Sequence, residues 1–120
     1  MARILVLDDS RFMRNLVAHF LEQAGHEAVP CEESSLSGIQ GFLQTHGPDL
    51  VLTDYQMPGC NGLTVARLAH AHRADLPVVL LTATRDPAIE EALLKHQPLC
   101  ILHKPVQEGE LLATVTRMLG

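Results

Sequence analysis

The sequence predicts an α/β domain: five β–α units around a parallel five-stranded sheet with helices on both faces. Two observations carry that prediction. Short, almost wholly apolar runs at residues 4–7, 50–53, 78–81 and 99–102 read as strands buried on both faces. Between them lie stretches whose apolar residues recur three and four apart, the mark of a helix with one buried face. Strands alternating with helices imply a parallel sheet, and right-handed crossovers leave few doubly wound topologies.

Each element has its own signal. Ile4, Leu5, Val6 and Leu7 form the first strand and stop at Asp8-Asp9. Met13, Leu16, Val17, Phe20, Leu21 and Ala24 make the face of the first helix, with Ser10 or Asp9 as its cap and Gly25 at its end. Residues 27–30 are a weaker second strand. The second helix carries Leu36, Ile39, Phe42 and Leu43 and closes at Gly47-Pro48. Leu50, Val51, Leu52 and Thr53 form the third strand, ending at Asp54. Residues 57–62, Met-Pro-Gly-Cys-Asn-Gly, read as a loop from their Pro and Gly. A third helix spans roughly 63–72, with Val65, Leu68 and Ala69 as its face. The fourth strand, 78–81, ends at Thr82. Asp86-Pro87 opens a helix bearing Ile89, Ala92 and Leu93. The fifth strand, 99–103, ends at Lys104-Pro105, and a last helix carries Leu111, Leu112, Val115, Met118 and Leu119. No linker or repeat interrupts the pattern, so residues 1–120 are expected to form a single domain.

Composition excludes several functions. The 120 residues are 47% hydrophobic and 19% charged, the balance of a folded domain. Nine Lys and Arg against fourteen Asp and Glu give a formal charge of −5. Non-specific nucleic-acid affinity comes mainly from neutralising phosphates, so direct nucleic-acid binding is not expected. The longest apolar stretch, residues 76–81, is far too short to span a bilayer, and no signal peptide is visible; a cytoplasmic location is the expectation. Three cysteines without a Cys-x-x-Cys spacing argue against a disulfide framework or a zinc site. The seven histidines read as structural or surface residues, since His70 and His72 fall on different helix faces.

The functional signal lies at the strand ends. Four strands stop at Asp8-Asp9, Asp54, Thr82 and Lys104. Taken singly, an Asp after a strand is usually a helix cap and a Lys-Pro a solvated loop. In a flavodoxin-like sheet of order 2-1-3-4-5, however, all five residues gather at the C-terminal edge, where such folds bind ligands. Three clustered carboxylates repel one another, and a hard cation such as Mg²⁺ relieves that repulsion through oxygen ligands. Lys104 and Thr82 add a positive charge and a hydroxyl. These are the parts needed to take a phosphoryl group onto an aspartate, with the carboxylate as nucleophile and cations stabilising the equatorial oxygens.

Over almost its whole length the chain resembles the receiver domains of bacterial response regulators. The resemblance rests on residues 4–10 (Ile-Leu-Val-Leu-Asp-Asp-Ser), 54–62 (Asp-Tyr-Gln-Met-Pro-Gly-Cys-Asn-Gly), 81–83 (Leu-Thr-Ala) and Lys104-Pro105. It implies that Asp54 is the phosphoacceptor. Asp9 and Asp54 would ligate Mg²⁺, with Asp8 acting directly or through water and the Gln56 backbone carbonyl completing the protein ligands. Thr82 and Lys104 would hold the phosphoryl group, and a cis bond would precede Pro105. Gln56 and Thr84 would tune the phosphoryl lifetime. The partners implied are a histidine kinase or histidine phosphotransfer protein and a downstream target or output domain. Phosphotransfer and dephosphorylation would be self-catalysed, in a signalling domain that is not an enzyme.

One position and one stretch depart from the family. The strand-5 aromatic that normally couples to the Thr is replaced by Ile101, and Lys95-His96-Gln97-Pro98 stands where Ala-Gly-Ala is usual. A muted or rewired switch follows as the expectation. It also leaves an alternative, a non-catalytic receiver-fold scaffold. A haloacid-dehalogenase-type phosphatase needs Asp-x-Asp after its first strand and a cap, which Asp8-Asp9-Ser10 in a short chain does not supply. A dinucleotide site needs a Gly-rich turn that is absent here.

Overall fold

The computed structural model describes residues 1–32, 35–57 and 60–120. Five parallel strands form one sheet: β1 (Arg3–Leu7), β2 (Glu27–Cys31), β3 (Leu50–Asp54), β4 (Val78–Thr82) and β5 (Leu99–His103). Their spatial order is β2-β1-β3-β4-β5, as expected for the flavodoxin-like doubly wound fold. The helices are α1 (Arg11–Gln23), α2 (Leu36–His46), α3 (Gly62–His72), α4 (Pro87–Leu93) and α5 (Glu108–Leu119).

Strand alternation splits the core in two. Leu5, Leu7, Val51, Val78, Leu80 and Leu99 pack on one side against α2, α3 and α4. Ile4, Val6, Leu50, Leu52, Val79 and Leu81 pack on the other against α1 and α5. Both central strands, β3 and β4, are buried at every position. That explains why they read as unbroken apolar runs and not as alternating ones. Pro30 sits on β2, an edge strand, where its missing N–H is tolerated.

The caps follow the local chemistry. Ser10 Oγ accepts from the Met13 N–H, and Gly25 follows α1 with φ +89°. Asp86 Oδ1 accepts from the Ala88 N–H, with Pro87 in the first turn of α4.

Some expectations are corrected. Ala24 is exposed because it caps the end of α1, past its last residue Gln23, and Arg14 and Ala18 share the buried helix face with Val17 and Leu21 instead. Leu36, in the first turn of α2, is 52% exposed, and Ala92 on α4 is also exposed. Ala66 is fully buried on α3, whereas Leu68 is only partly so. The expected loop at 57–62 contains a short antiparallel ladder, Gln56–Met57 against Cys60–Asn61, and Asn61 caps α3. Pro58 and Gly59 lie outside the described residues.

Candidate functional site at the carboxyl edge of the sheet

Adjacent strand ends bring the acidic residues together. β1 and β3 are neighbours, with Leu7 opposite Thr53, so Asp8 and Asp54 follow at the same level. Carboxylate oxygens of Asp8, Asp9 and Asp54 all lie within 4.8 Å of one another. Asp8 and Asp54 are buried, while Asp9 is exposed. From the end of β5, Lys104 reaches across, its Nζ 3.2 Å from Asp54 Oδ1 and 3.7 Å from Asp8 Oδ2. The Lys104 N–H donates to the Thr82 carbonyl, locking the lysine-bearing turn to β4. The bond before Pro105 is cis, as expected, and so is the bond before Pro98.

The electrostatics are unbalanced in favour of negative charge. Asp8 Oδ1 accepts from the Ser10 N–H, but Asp8 Oδ2 is buried without a hydrogen-bond partner among the described residues. Burial, with help from the Asp54 and Asp9 charges, raises the Asp8 carboxyl above the ordinary value; the Ser10 N–H and Lys104 oppose that rise. A buried carboxylate oxygen lacking a donor, beside two further carboxylates, fits a hard divalent cation.

Thr82, at the end of β4, is buried, and its hydroxyl accepts from the Thr84 N–H at 3.0 Å. Thr84 is half-buried and Gln56 is exposed. Because the Gly62 N–H donates to the Tyr55 carbonyl, Gln56 and Asn61 are a non-hydrogen-bonded pair, and the Gln56 carbonyl is left out of the ladder. Ile101 is half-buried two residues before His103, on the β5 face that packs toward α3 and α4.

Three features here escape a reading of the sequence alone. A Cβ on Gly62 would stand 2.1 Å from Leu80 Cδ2, 2.9 Å from Tyr55 Cα and 3.2 Å from the Asp54 carbonyl oxygen, so only glycine lets α3 begin against the end of β3. The Asn-Gly pair was its one visible signal. Arg14, a charged residue on a helix, is buried beneath the Asp8-Asp9 turn. His103 Nε2 bonds Glu90 Oε1 on α4, a contact that no spacing rule foretells.

Comparison with known proteins agrees with this geometry. The family model of the response regulator receiver domain matches residues 4–116. Protein PilH of Pseudomonas aeruginosa is 34% identical, over 100% of this chain and 99% of its own. The cyclic di-GMP phosphodiesterase response regulator RpfG of Xanthomonas campestris pv. campestris is 30% identical; the match covers 97% of this chain but only 31% of RpfG. Among solved structures, the chemotaxis protein CheY4 of Vibrio cholerae superposes with a TM-score of 0.88 at 25% identity, covering 98% of both chains. No helix among the described residues is long and apolar enough to cross a membrane. The chain therefore belongs to the response regulator receiver domain family of two-component signalling systems.

Proposed function

We propose that Asp54 accepts a phosphoryl group from a histidine kinase or a histidine phosphotransfer protein. The observation that carries this reading is the placement of Asp54 Oδ1, buried and 3.2 Å from Lys104 Nζ, beside Asp8 and Asp9. An Asp54 carboxylate oxygen attacks phosphorus in line with the donor bond. The new O–P bond forms as the bond to the histidine nitrogen breaks, and the nitrogen keeps the electron pair. Lys104 holds one equatorial oxygen of the phosphoryl group. The Thr82 hydroxyl accepts from Thr84, so its own proton is free for another. Asp8, Asp9, Asp54 and the Gln56 carbonyl would hold Mg²⁺, which supplies positive charge for the phosphoryl oxygens.

Dephosphorylation follows by attack of water on phosphorus, which breaks the P–O bond to Asp54, returns its carboxylate and releases inorganic phosphate, with Gln56 and Thr84 at the approach and setting the lifetime. Residues 1–120 act as one receiver unit, signalling to a separate target or to an output domain. The scaffold reading is disfavoured because none of the acidic, hydroxyl or lysine positions is lost.

Intact-mass spectrometry after incubation with acetyl phosphate and Mg²⁺ tests the assignment. The parent should gain one phosphoryl group, a chelator should abolish the gain, and Asp54→Asn should not react. A parent that neither reacts nor binds beryllofluoride would overturn it.

A further inference from the structure

We propose that Arg14 is a positioning residue for the cation-binding turn, setting the angle between the Asp8 and Asp9 carboxylates by holding the peptide that joins them. The inference rests on Asp8 and Asp9 being cation ligands. Arginine is almost never fully buried unless paired, yet the Arg14 side chain is only 7% exposed. Its Nη1 donates to the Asp8 carbonyl oxygen at 2.5 Å, and its Nη2 to Glu32 Oε1 at 2.9 Å. The Asp8 carbonyl and the Asp9 N–H belong to one planar unit. Fixing that carbonyl fixes the plane, and with it the directions in which the two aspartate side chains leave the chain.

The guanidinium suits this task because its donors form a rigid fork that stays charged. One arm takes the carbonyl at the end of β1. The other takes Glu32, one residue past β2, whose side chain is 73% exposed. Arg14 also closes the first turn of α1 by donating its N–H to the Ser10 carbonyl, so the fork stands on a rigid element. Stability alone does not call for this arrangement. An ion pair with one partner exposed contributes little to stability, and Val17 and Leu21 continue the same helix face as ordinary core residues.

Outer-shell partners of metal ligands typically change affinity by about 10- to 100-fold when lost. The test is Mg²⁺ titration into the full chain by isothermal calorimetry, for the parent, Arg14→Lys and Glu32→Gln. Alongside it, the rate of phosphorylation by acetyl phosphate is followed against Mg²⁺ concentration by intact mass. Arg14→Lys keeps the charge but loses the fork. It should weaken Mg²⁺ binding about tenfold or more and raise the half-saturating Mg²⁺ by the same factor, with the parent rate restored at saturation. Glu32→Gln should move both quantities less, in the same direction. Unchanged Mg²⁺ affinity in a folded Arg14→Lys, or a lost rate that saturating Mg²⁺ does not restore, would overturn the proposal. Should Arg14→Lys fail to fold, the exposed Glu32→Gln decides, and unchanged affinity there is equally fatal. A parent that takes up no Mg²⁺ overturns the cation assignment itself.

Discussion

Asp8 shows how a site for chemistry costs the fold. Its carboxyl is raised by burial above the ordinary aspartate value of 3.8. The folded state therefore binds this proton more tightly than the unfolded chain does. Stability contributed by the group is present at low pH and falls as pH rises from 3.8 through the raised value, and the deficit persists above it. Asp8→Asn keeps an oxygen for the Ser10 N–H and removes the buried charge. In chelator at neutral pH it should raise the melting temperature by a few degrees, the shift that roughly 1 kcal/mol produces in a chain of this size. The advantage should vanish in acid and shrink in Mg²⁺, as thermal melts across pH would reveal. Gly62 argues in the opposite sense. A methyl group there meets backbone at Tyr55, which cannot rotate away as a side chain can. Gly62→Ala should cost about 1–3 kcal/mol in urea unfolding, and it should slow phosphorylation because the displaced backbone adjoins Asp54.

At the scale of elements, α4 is the helix with the fewest buried side chains. It has seven residues and one buried side chain, Leu93. His103 ties it to β5 through Glu90. Thr82 and His103 are register partners, and each lies two residues past a position, Leu80 or Ile101, that packs toward α3 and α4. The polar link to α4 thus leaves β5 beside the very threonine proposed to contact the phosphoryl group, two residues past Ile101, where the family's aromatic is missing. We expect this link to stand in for the aromatic coupling. His103→Asn should lower hydrogen-exchange protection across residues 87–94 while leaving β1 and β3 unchanged. A large inward swing of Ile101 between free and beryllofluoride-bound forms would contradict it. The strands and most helices were legible because burial on both faces of a sheet leaves an unbroken apolar run, and a helix face leaves a period. Ala24 misled the reading because a small residue at a helix end satisfies the period without being buried. The Gln56–Asn61 ladder was hidden because two-residue strands have no period at all. The site's carboxylates and lysine were readable because each stands at or just past the carboxyl end of a strand. Arg14 and the His103–Glu90 pair were not, since a charged residue on a helix reads as a solvated face until the tertiary contact is seen.

On the scale of the whole molecule, both cores draw on the same strands. β1, β3, β4 and β5 each contribute to the layer under α2, α3 and α4 and to the layer under α1 and α5. Neither layer can be lost while the other keeps its sheet, so unfolding should be a single cooperative step, as is usual for domains of this length. The site lies where β1, β3 and β5 end, so a ligand held there bridges strands from the centre of the sheet to its edge. Tyr55, the only tyrosine, directly follows Asp54 and reports on that edge. Urea unfolding followed by tyrosine fluorescence and by far-ultraviolet circular dichroism should give coincident midpoints. A ligand that binds only the folded state stabilises it by about 2.7 kcal/mol at a hundred times its dissociation constant. Mg²⁺ at that excess should therefore move both midpoints together. A shift in fluorescence alone would mean that the site edge opens independently of the sheet, and that the two layers do not share one transition.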